Sequence, residues 1–185
     1  MILCFGAELT VDCYVDADFA GLFGTEDPED PVSVKSRTGY VLLLANCPLM
    51  WVSKLQSPIA LSTQHSEYVA LSSACRDLLP IREMLKALTE YVPELTGNVP
   101  FTIKSTCFED NAAALALARL KKITPQNRHI GSKYHWFRSY VLGAKNKDAF
   151  LDIVKVESEM QMADIFTKNL TAEKYLQGRK LLCGW

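Results

Sequence analysis

Four acidic residues at or near the ends of predicted secondary-structure elements are the main candidates for chemistry: Asp16, Glu67, Asp110 and Asp164. Carboxylate oxygens are hard ligands that suit Mg²⁺ and Mn²⁺. Two such ions, bridged by carboxylates and about 4 Å apart, would activate water and stabilise the leaving oxygen in phosphodiester cleavage. Because clustered negative charges are favourable only with a cation present, the set as a whole predicts a metal-dependent site.

Asp16 lies in a predicted strand at residues 11–19, where apolar and polar side chains alternate. Aspartate is disfavoured in strands, so a compensating partner is expected. Asp12 and Asp18 share its predicted face. A plain acidic strand face is therefore a credible alternative for Asp16.

Glu67 heads an apolar stripe on a predicted helix at residues 64–90. The stripe continues through Leu71, Ala74, Leu78, Ile81 and Leu85. A buried carboxylate at its head requires a cation, a hydrogen bond or a proton. The alternative is a first-turn glutamate that reaches solvent and is favoured by the helix dipole, and the spacing alone leaves both open.

Two further aspartates occur where helices are predicted to begin. Asp110 lies between a predicted strand at residues 101–108 and a predicted helix at 111–120, and Asp164 falls early in a predicted helix at 161–170. Taken singly, Asp110 is explained by N-capping and Asp164 as a first-turn acid. Strand ends are also where α/β folds place ligand sites.

The predicted elements follow the order β-β-β-α-β-α-α-β-α, which indicates an α/β fold with helices packed on a mixed sheet. The first three strands form an antiparallel meander. Pro80 is expected to kink or split the long helix near Leu79. The other predicted elements are strands at residues 38–45, 49–54 and 149–156, and helices at residues 132–142 and 172–182.

Length and composition agree with one intracellular domain. The chain has 185 residues and a net charge of −1. Its six cysteines are scattered without a C-x-x-C pair, which favours free thiols, and we expect them to be buried as small apolar side chains. No apolar run approaches the roughly 20 residues that span a bilayer. The apolar start carries no basic residue, unlike a secretory signal.

Although the net charge of the chain is close to zero, one segment is basic, since residues 111–147 contain no acidic side chain. Its predicted nucleic-acid contacts are Lys121, Lys122, Arg128, His129, Lys133 and Arg138. Such a segment is typical of phosphate contact, and the alternative is a solvated helix face. The i, i+4 spacing of Trp136 and Tyr140 predicts that these rings pack in the core instead of stacking on bases.

Several motifs occur in order along the chain: YVDADFAG (14–21), VKSRTGY (34–40), MWVSKLQ (50–56), ALSTQHSEYVAL (60–71), EDN (109–111), RHI (128–130), KYHWFR (133–138) and MADIFTK (162–168). Together they resemble the ribonuclease H domains of copia-type, Pseudoviridae-like LTR retrotransposon polyproteins. The resemblance covers about residues 11–170, and RKLL at 179–182 is similar as well.

The resemblance implies a ribonuclease H-like fold, with a five-stranded mixed sheet of three antiparallel and two parallel strands flanked by α-helices. It implies that Asp16, Glu67, Asp110 and Asp164 are catalytic and hold two Mg²⁺ or Mn²⁺ ions. The implied reaction is hydrolysis of the RNA strand of an RNA–DNA hybrid, leaving 5′-phosphate and 3′-hydroxyl ends. Residues 11–170 would form this domain, with an N-terminal extension at 1–10 and a helical tail at 171–185.

The implied partners are the hybrid and the reverse transcriptase domain of the same polyprotein, in the cytoplasm or a virus-like particle and not at a membrane. One departure concerns the loop before the last aspartate, where cellular members usually carry a histidine and residues 157–160 (ESEM) contain none. Two other hypotheses stay open. In the first, the chain is a degenerate or domesticated copy that binds nucleic acid or reverse transcriptase without cutting. In the second, it is another nuclease of the same fold, such as an exonuclease or integrase core, and cleaves duplex DNA.

Overall fold

A five-stranded mixed sheet forms the centre of the protein in the computed structural model, which describes residues 8–24, 27, 29–92, 102–120, 122, 124–143 and 149–184. Its strands are β1 (Glu8–Asp18), β2 (Arg37–Leu44), β3 (Cys47–Leu55), β4 (Thr102–Glu109) and β5 (Leu151–Lys155). They lie in the order β3-β2-β1-β4-β5. Strands β1 to β3 pair antiparallel, whereas β4 pairs parallel with both β1 and β5, which confirms the predicted sheet.

The central strand β1 begins at Glu8, three residues before its predicted start. Its odd-numbered residues from Leu9 to Val15 are buried, as the alternation predicts, because one face packs in the core. The parallel pairing of β1 with β4 starts at once, with Glu8 opposite Thr102. This register brings the carboxyl ends of β1 and β4 to the same edge of the sheet.

The long helix α1 (Thr63–Tyr91) packs against the sheet. It begins after its N-cap Ser62, whose hydroxyl accepts the backbone N–H of His65 at 3.1 Å. The helix is not split at Pro80, because a proline removes one backbone hydrogen bond while Leu78, Leu79 and Leu85 hold the flanking turns in the core. In the part of the chain that is described, no helix is long and apolar enough to cross a membrane.

Two predicted α-helices are wrong. Residues 132–142 form the 3-10 segments Ser132–Tyr134 and Trp136–Tyr140, and residues 161–170 contain only the 3-10 segment Met162–Phe166. Side chains in both regions bond to distant elements. The Trp136 indole donates to the Ser72 hydroxyl at 3.1 Å, and the Gln161 amide donates to the Val15 carbonyl at 2.8 Å. These tertiary contacts replace regular helical turns. Two α-helices complete the fold, α2 (Ala112–Arg119) and α3 (Ala172–Cys183).

The described cysteines are free, as predicted from their spacing. Cys13, Cys75 and Cys107 are buried in the core, where they pack as small apolar side chains do. Cys47 and Cys183 are exposed, so the expectation of burial holds for three of them and fails for these two.

Gly39 in β2 permits the segment Met162–Phe166 to approach the sheet. A Cβ atom at Gly39 would lie 2.9 Å from the Cβ of Phe166 and would also clash with the Thr167 methyl group. We therefore expect Gly39→Ala to lower the free energy of unfolding by about 1–3 kcal/mol, as overpacking does. Urea denaturation measures this change. Gly131→Ala is the matched control, since its Cβ would meet no atom of the described residues closer than 3.8 Å. Equal stability of the two variants would contradict the prediction.

Candidate metal centre

Three of the four predicted carboxylates meet at the carboxyl edge of the sheet. Oxygen atoms of Asp16 on β1, Glu67 on α1 and Asp110 after β4 all lie within 4.8 Å of one another. The parallel pairing of β1 and β4 places their ends side by side, and the first turns of α1 lie beside them. Residues separated by more than 90 positions in sequence therefore form one group, which we call the three-carboxylate group.

Asp16 is fully buried, so the alternative of a solvated acidic strand face is wrong for this residue. The Thr167 hydroxyl donates a hydrogen bond to one of its carboxylate oxygens, and the Lys168 ammonium group lies 2.9 Å from the other. Asp12 and Asp18, on the same strand, are only half-buried. Asp16 is thus the fully buried acid of β1, and it has both a charged and a polar partner.

Glu67 is only 3% exposed, so the alternative of a solvated first-turn glutamate is wrong. Its Oε2 atom is buried and has no hydrogen-bond partner among the described residues. Burial, together with the negative charges of Glu109, Asp16 and Asp110, raises the pKa of Glu67 to about 11. Without a cation, Glu67 therefore carries a proton at neutral pH.

Asp110 does not cap the following helix, in contrast to its simplest interpretation. Asn111 is the N-cap of α2, and its side-chain oxygen accepts the backbone N–H groups of Ala113 and Ala114 at 3.0 Å each. Asp110 is left half-buried, and it accepts a hydrogen bond from the Ser158 hydroxyl at 3.1 Å. Ser158 belongs to the loop that lacks a histidine, so this loop contacts the site through a hydroxyl group.

Asp164 lies outside the three-carboxylate group, in the segment Met162–Phe166. Its carboxylate is 2.8 Å from the ammonium nitrogen of Lys168, which therefore bridges Asp164 and Asp16. Burial lowers the pKa of Lys168, but the two carboxylates outweigh this effect and raise it overall. The spacing of Asp164 and Lys168, i and i+4, is the sequence signal that indicates this ion pair.

Comparisons with known proteins found similar sequences and a similar fold, although no protein-family model matches the chain. The chain is 28% identical over 174 residues to the retrovirus-related Pol polyprotein from transposon TNT 1-94 of Nicotiana tabacum, a match covering 94% of the chain and 11% of that protein. It is also 28% identical over 166 residues to the Pol polyprotein from transposon RE1 of Arabidopsis thaliana, covering 90% and 10%. The chain thus spans about a tenth of the length of these curated relatives.

The structure is similar to the N-terminal ribonuclease H domain of rv2228c from Mycobacterium tuberculosis, which was solved as a fusion with maltose binding protein. The TM-score is 0.53 at 12% identity, and the match covers 86% of this chain and 91% of that one. This chain has the ribonuclease H fold. The predicted fold class and the resemblance to retrotransposon polyproteins are both confirmed.

One acidic residue at the edge of this ribonuclease H fold was not singled out by the sequence. Glu109 is fully buried at the end of β4, and only one of its oxygens has a partner in the described chain, the backbone N–H of Asn111 at 3.1 Å. Burial raises the pKa of Glu109 well above its usual range. The signal was present, since Ile103, Ser105, Cys107 and Glu109 alternate as buried residues, but the predicted strand ended at residue 108.

The basic segment lies beside the part of α1 that carries Glu67. The His129 ring packs edge-on against His65 at a centroid distance of 5.3 Å, and the Tyr68 hydroxyl lies 2.9 Å from Nδ1 of His135. Among the predicted contact residues, Lys122, Arg128, His129 and Lys133 are exposed and Arg138 is half-buried, whereas Lys121 lies outside the described residues. Trp136 and Tyr140 pack against the core, as predicted. The ribonuclease H fold thus brings the exposed Lys133 and His129 close to the helix that carries Glu67.

Proposed function

We propose that this chain is a metal-dependent endoribonuclease that hydrolyses the RNA strand of RNA–DNA hybrids during reverse transcription of a copia-type retrotransposon, leaving 5′-phosphate and 3′-hydroxyl ends. The observation that carries the proposal is the three-carboxylate group at the carboxyl edge of a ribonuclease H fold. Three acids this close are unfavourable without a cation, and a divalent ion supplies the compensating charge. Residues 11–170 would form this domain together with residues 8–10, which continue strand β1, and the tail at 171–185 would follow it.

The proposed metal ligands and catalytic residues are Asp16, Glu67, Asp110 and Asp164, which would hold two Mg²⁺ or Mn²⁺ ions. The donor set fits such ions, since it contains only carboxylate oxygens and includes a buried oxygen of Glu67 without a partner in the described part of the chain. When bound, the ions supply the Lewis acidity that activates water and stabilises the leaving oxygen.

The protein contributes orientation. The Thr167 hydroxyl holds Asp16, the Ser158 hydroxyl holds Asp110, and the Gln161 side chain ties the segment carrying Asp164 to β1. Fixed carboxylates lose little freedom when they bind a cation. The contacts of Gln161 and Thr167 also hold the 3-10 segment Met162–Phe166, which lies between them, against the sheet.

The hybrid would be held by Lys121, Lys122, Arg128, His129, Lys133 and Arg138. Support comes from the position of this segment along α1 and from a second group of cations. Lys133, Lys54 and Arg76 line a common cavity of about 230 Å³, which offers positive charge to a phosphate backbone. The proposed protein partner is the reverse transcriptase domain of the same polyprotein, in the cytoplasm or a virus-like particle.

The deciding experiment is incubation of the purified chain with labelled RNA–DNA hybrid and Mg²⁺ or Mn²⁺, beside matched RNA and DNA duplexes. We expect cleavage of the RNA strand of the hybrid alone. Asp110→Asn should lower the rate at least about a hundredfold, because a neutral amide replaces a metal-binding carboxylate. Asp12→Asn is the control, since Asp12 lies on β1 outside the three-carboxylate group.

The other hypotheses predict different results in the same assay. A chain that binds hybrid but does not cut it, whether or not Asp110 is replaced, would be the binding-only copy. Cleavage of duplex DNA in preference to hybrid would identify a different nuclease of the same fold. Addition of a chelator should stop any metal-dependent cleavage and leave electrostatic binding of the hybrid in place.

A further inference from the structure

Lys168 lies among the four carboxylates at the carboxyl edge of the sheet, Asp16, Glu67, Asp110 and Asp164, which we call the acidic edge. It is the nearest cation to Asp16 in the described chain. Its ammonium nitrogen is 2.9 Å from Asp16 and 2.8 Å from Asp164. Asp16 is fully buried, whereas about a third of the Lys168 side chain is exposed. The ammonium group therefore compensates a buried negative charge that would otherwise be costly.

The acidic edge is divided into two halves by this lysine. On one side, Asp16, Glu67 and Asp110 approach one another without an intervening cation. On the other side, Lys168 joins the carboxylates of Asp16 and Asp164. The ammonium group, a compact single positive charge, thus occupies the place between two carboxylates where a divalent ion would bind.

The lysine has room to move away from this place. Lys168 lines an open cavity of about 450 Å³ together with Glu67, Asp110 and Asp18. A flexible four-carbon side chain can swing into such a cavity while its backbone stays in position. The backbone of Lys168 is anchored, since its N–H donates to the Asp164 carbonyl at 3.0 Å.

We propose that Lys168 is a built-in cation that holds the second metal position, between Asp16 and Asp164, and that a second divalent ion binds there only by displacing it. The first ion binds at the three-carboxylate group without displacing Lys168. This inference rests on the proposed function, because it assumes that the acidic edge binds divalent ions. The inference predicts that the second ion binds with lower affinity than the first and therefore at a higher metal concentration.

A purely structural role for Lys168 makes a different prediction. If the lysine only ties the segment Met162–Phe166 to β1, its loss lowers stability but leaves metal binding unchanged or weaker. If it competes with an ion, its loss lowers stability without metal and strengthens binding at the second position. The response of the second position to the loss of charge therefore separates the two roles.

The test is a titration of the whole chain with Mn²⁺, without nucleic acid, by isothermal titration calorimetry and by electron paramagnetic resonance of free Mn²⁺. Wild type is compared with Lys168→Gln, with Lys168→Arg, which keeps the charge, and with Lys180→Gln, an exposed lysine on α3. Thermal denaturation with and without Mn²⁺ is recorded for each protein. Hybrid cleavage by wild type is measured in parallel.

For Lys168→Gln we expect the second Mn²⁺ to bind at least about tenfold more tightly than in wild type, with little change at the first position. Its melting temperature should be lower than that of wild type without metal and should rise more on addition of Mn²⁺. Lys168→Arg and Lys180→Gln should bind Mn²⁺ as wild type does.

If wild type cleaves hybrid and binds Mn²⁺ but Lys168→Gln leaves the second affinity unchanged or weaker, the inference is overturned and the proposed function stands. If two ions already bind wild type with equal affinity, Lys168 does not compete and the inference is again overturned. If none of the proteins binds Mn²⁺, the inference and the metal-dependent function fail together.

Discussion

Replacement of Glu67 by glutamine is expected to lower hybrid cleavage at least about a thousandfold and, at the same time, to stabilise the metal-free protein. The loss of cleavage follows from the removal of one carboxylate from the three-carboxylate group, since metal stabilisation of the transition state amounts to several kcal/mol. The gain in stability follows from burial. Glu67 is 3% exposed and protonated in the folded protein, whereas it is ionised in the unfolded chain at neutral pH.

The sign of the stability change can be worked out from these two states. Because the folded state has the higher pKa, it binds a proton that the unfolded state has lost above about pH 4.3. Wild type therefore loses stability as the pH rises above that value, and the Glu67→Gln variant lacks this loss. We expect the variant to be more stable by about 1–3 kcal/mol at about pH 7.5 and nearly equal to wild type at about pH 4.

Urea denaturation at both pH values, without divalent ions, measures the difference. Glu90→Gln is the matched control, because Glu90 is exposed near the other end of the same helix. Addition of Mn²⁺ should stabilise wild type and not Glu67→Gln. A variant that is less stable than wild type at about pH 7.5 would show that Glu67 is not a neutral buried acid.

The affinity of the first Mn²⁺ ion is expected to rise about tenfold for each pH unit between about pH 6 and about pH 9. In this range the metal-free site holds Glu67 protonated, and an ion binds only after the carboxyl loses that proton. One proton is therefore released for each ion bound.

Calorimetric titrations in two buffers of different ionisation enthalpy count the released protons. We expect about one for wild type and close to none for Glu67→Gln. Glu109→Gln is a demanding control, since Glu109 is also buried with a raised pKa but lies outside the three-carboxylate group. A proton count that falls for Glu109→Gln and not for Glu67→Gln would identify Glu109 as the ligand.

The features that the sequence determined by itself are those encoded in local patterns. Alternation of apolar residues identified the first strand, and helical spacing placed Glu67 at the head of a stripe that is buried in the structure except at half-buried Ile81. These predictions succeeded because side-chain periodicity is set by backbone geometry within a few residues. The resemblance along the chain added the fold and the four carboxylates, which no local pattern could assign.

Features that depend on contacts between distant residues were decided by the tertiary structure. The helices predicted at residues 132–142 and 161–170 are 3-10 segments, because hydrogen bonds from Trp136 to Ser72 and from Gln161 to Val15 outweigh local helical preference. From the sequence, N-capping was the simplest interpretation of Asp110. The structure assigns the cap to Asn111, which leaves Asp110 for the site.

The composition of the site shows the same division. The sequence supplied four carboxylates but not their grouping, in which oxygens of three lie within 4.8 Å and the fourth, that of Asp164, pairs with Lys168. It also left out Glu109, whose burial depends on where β4 ends against its neighbours. Distances between charges, and the loss of water around them, arise only when separate elements pack together, so the electrostatics of this site were decided by the tertiary structure.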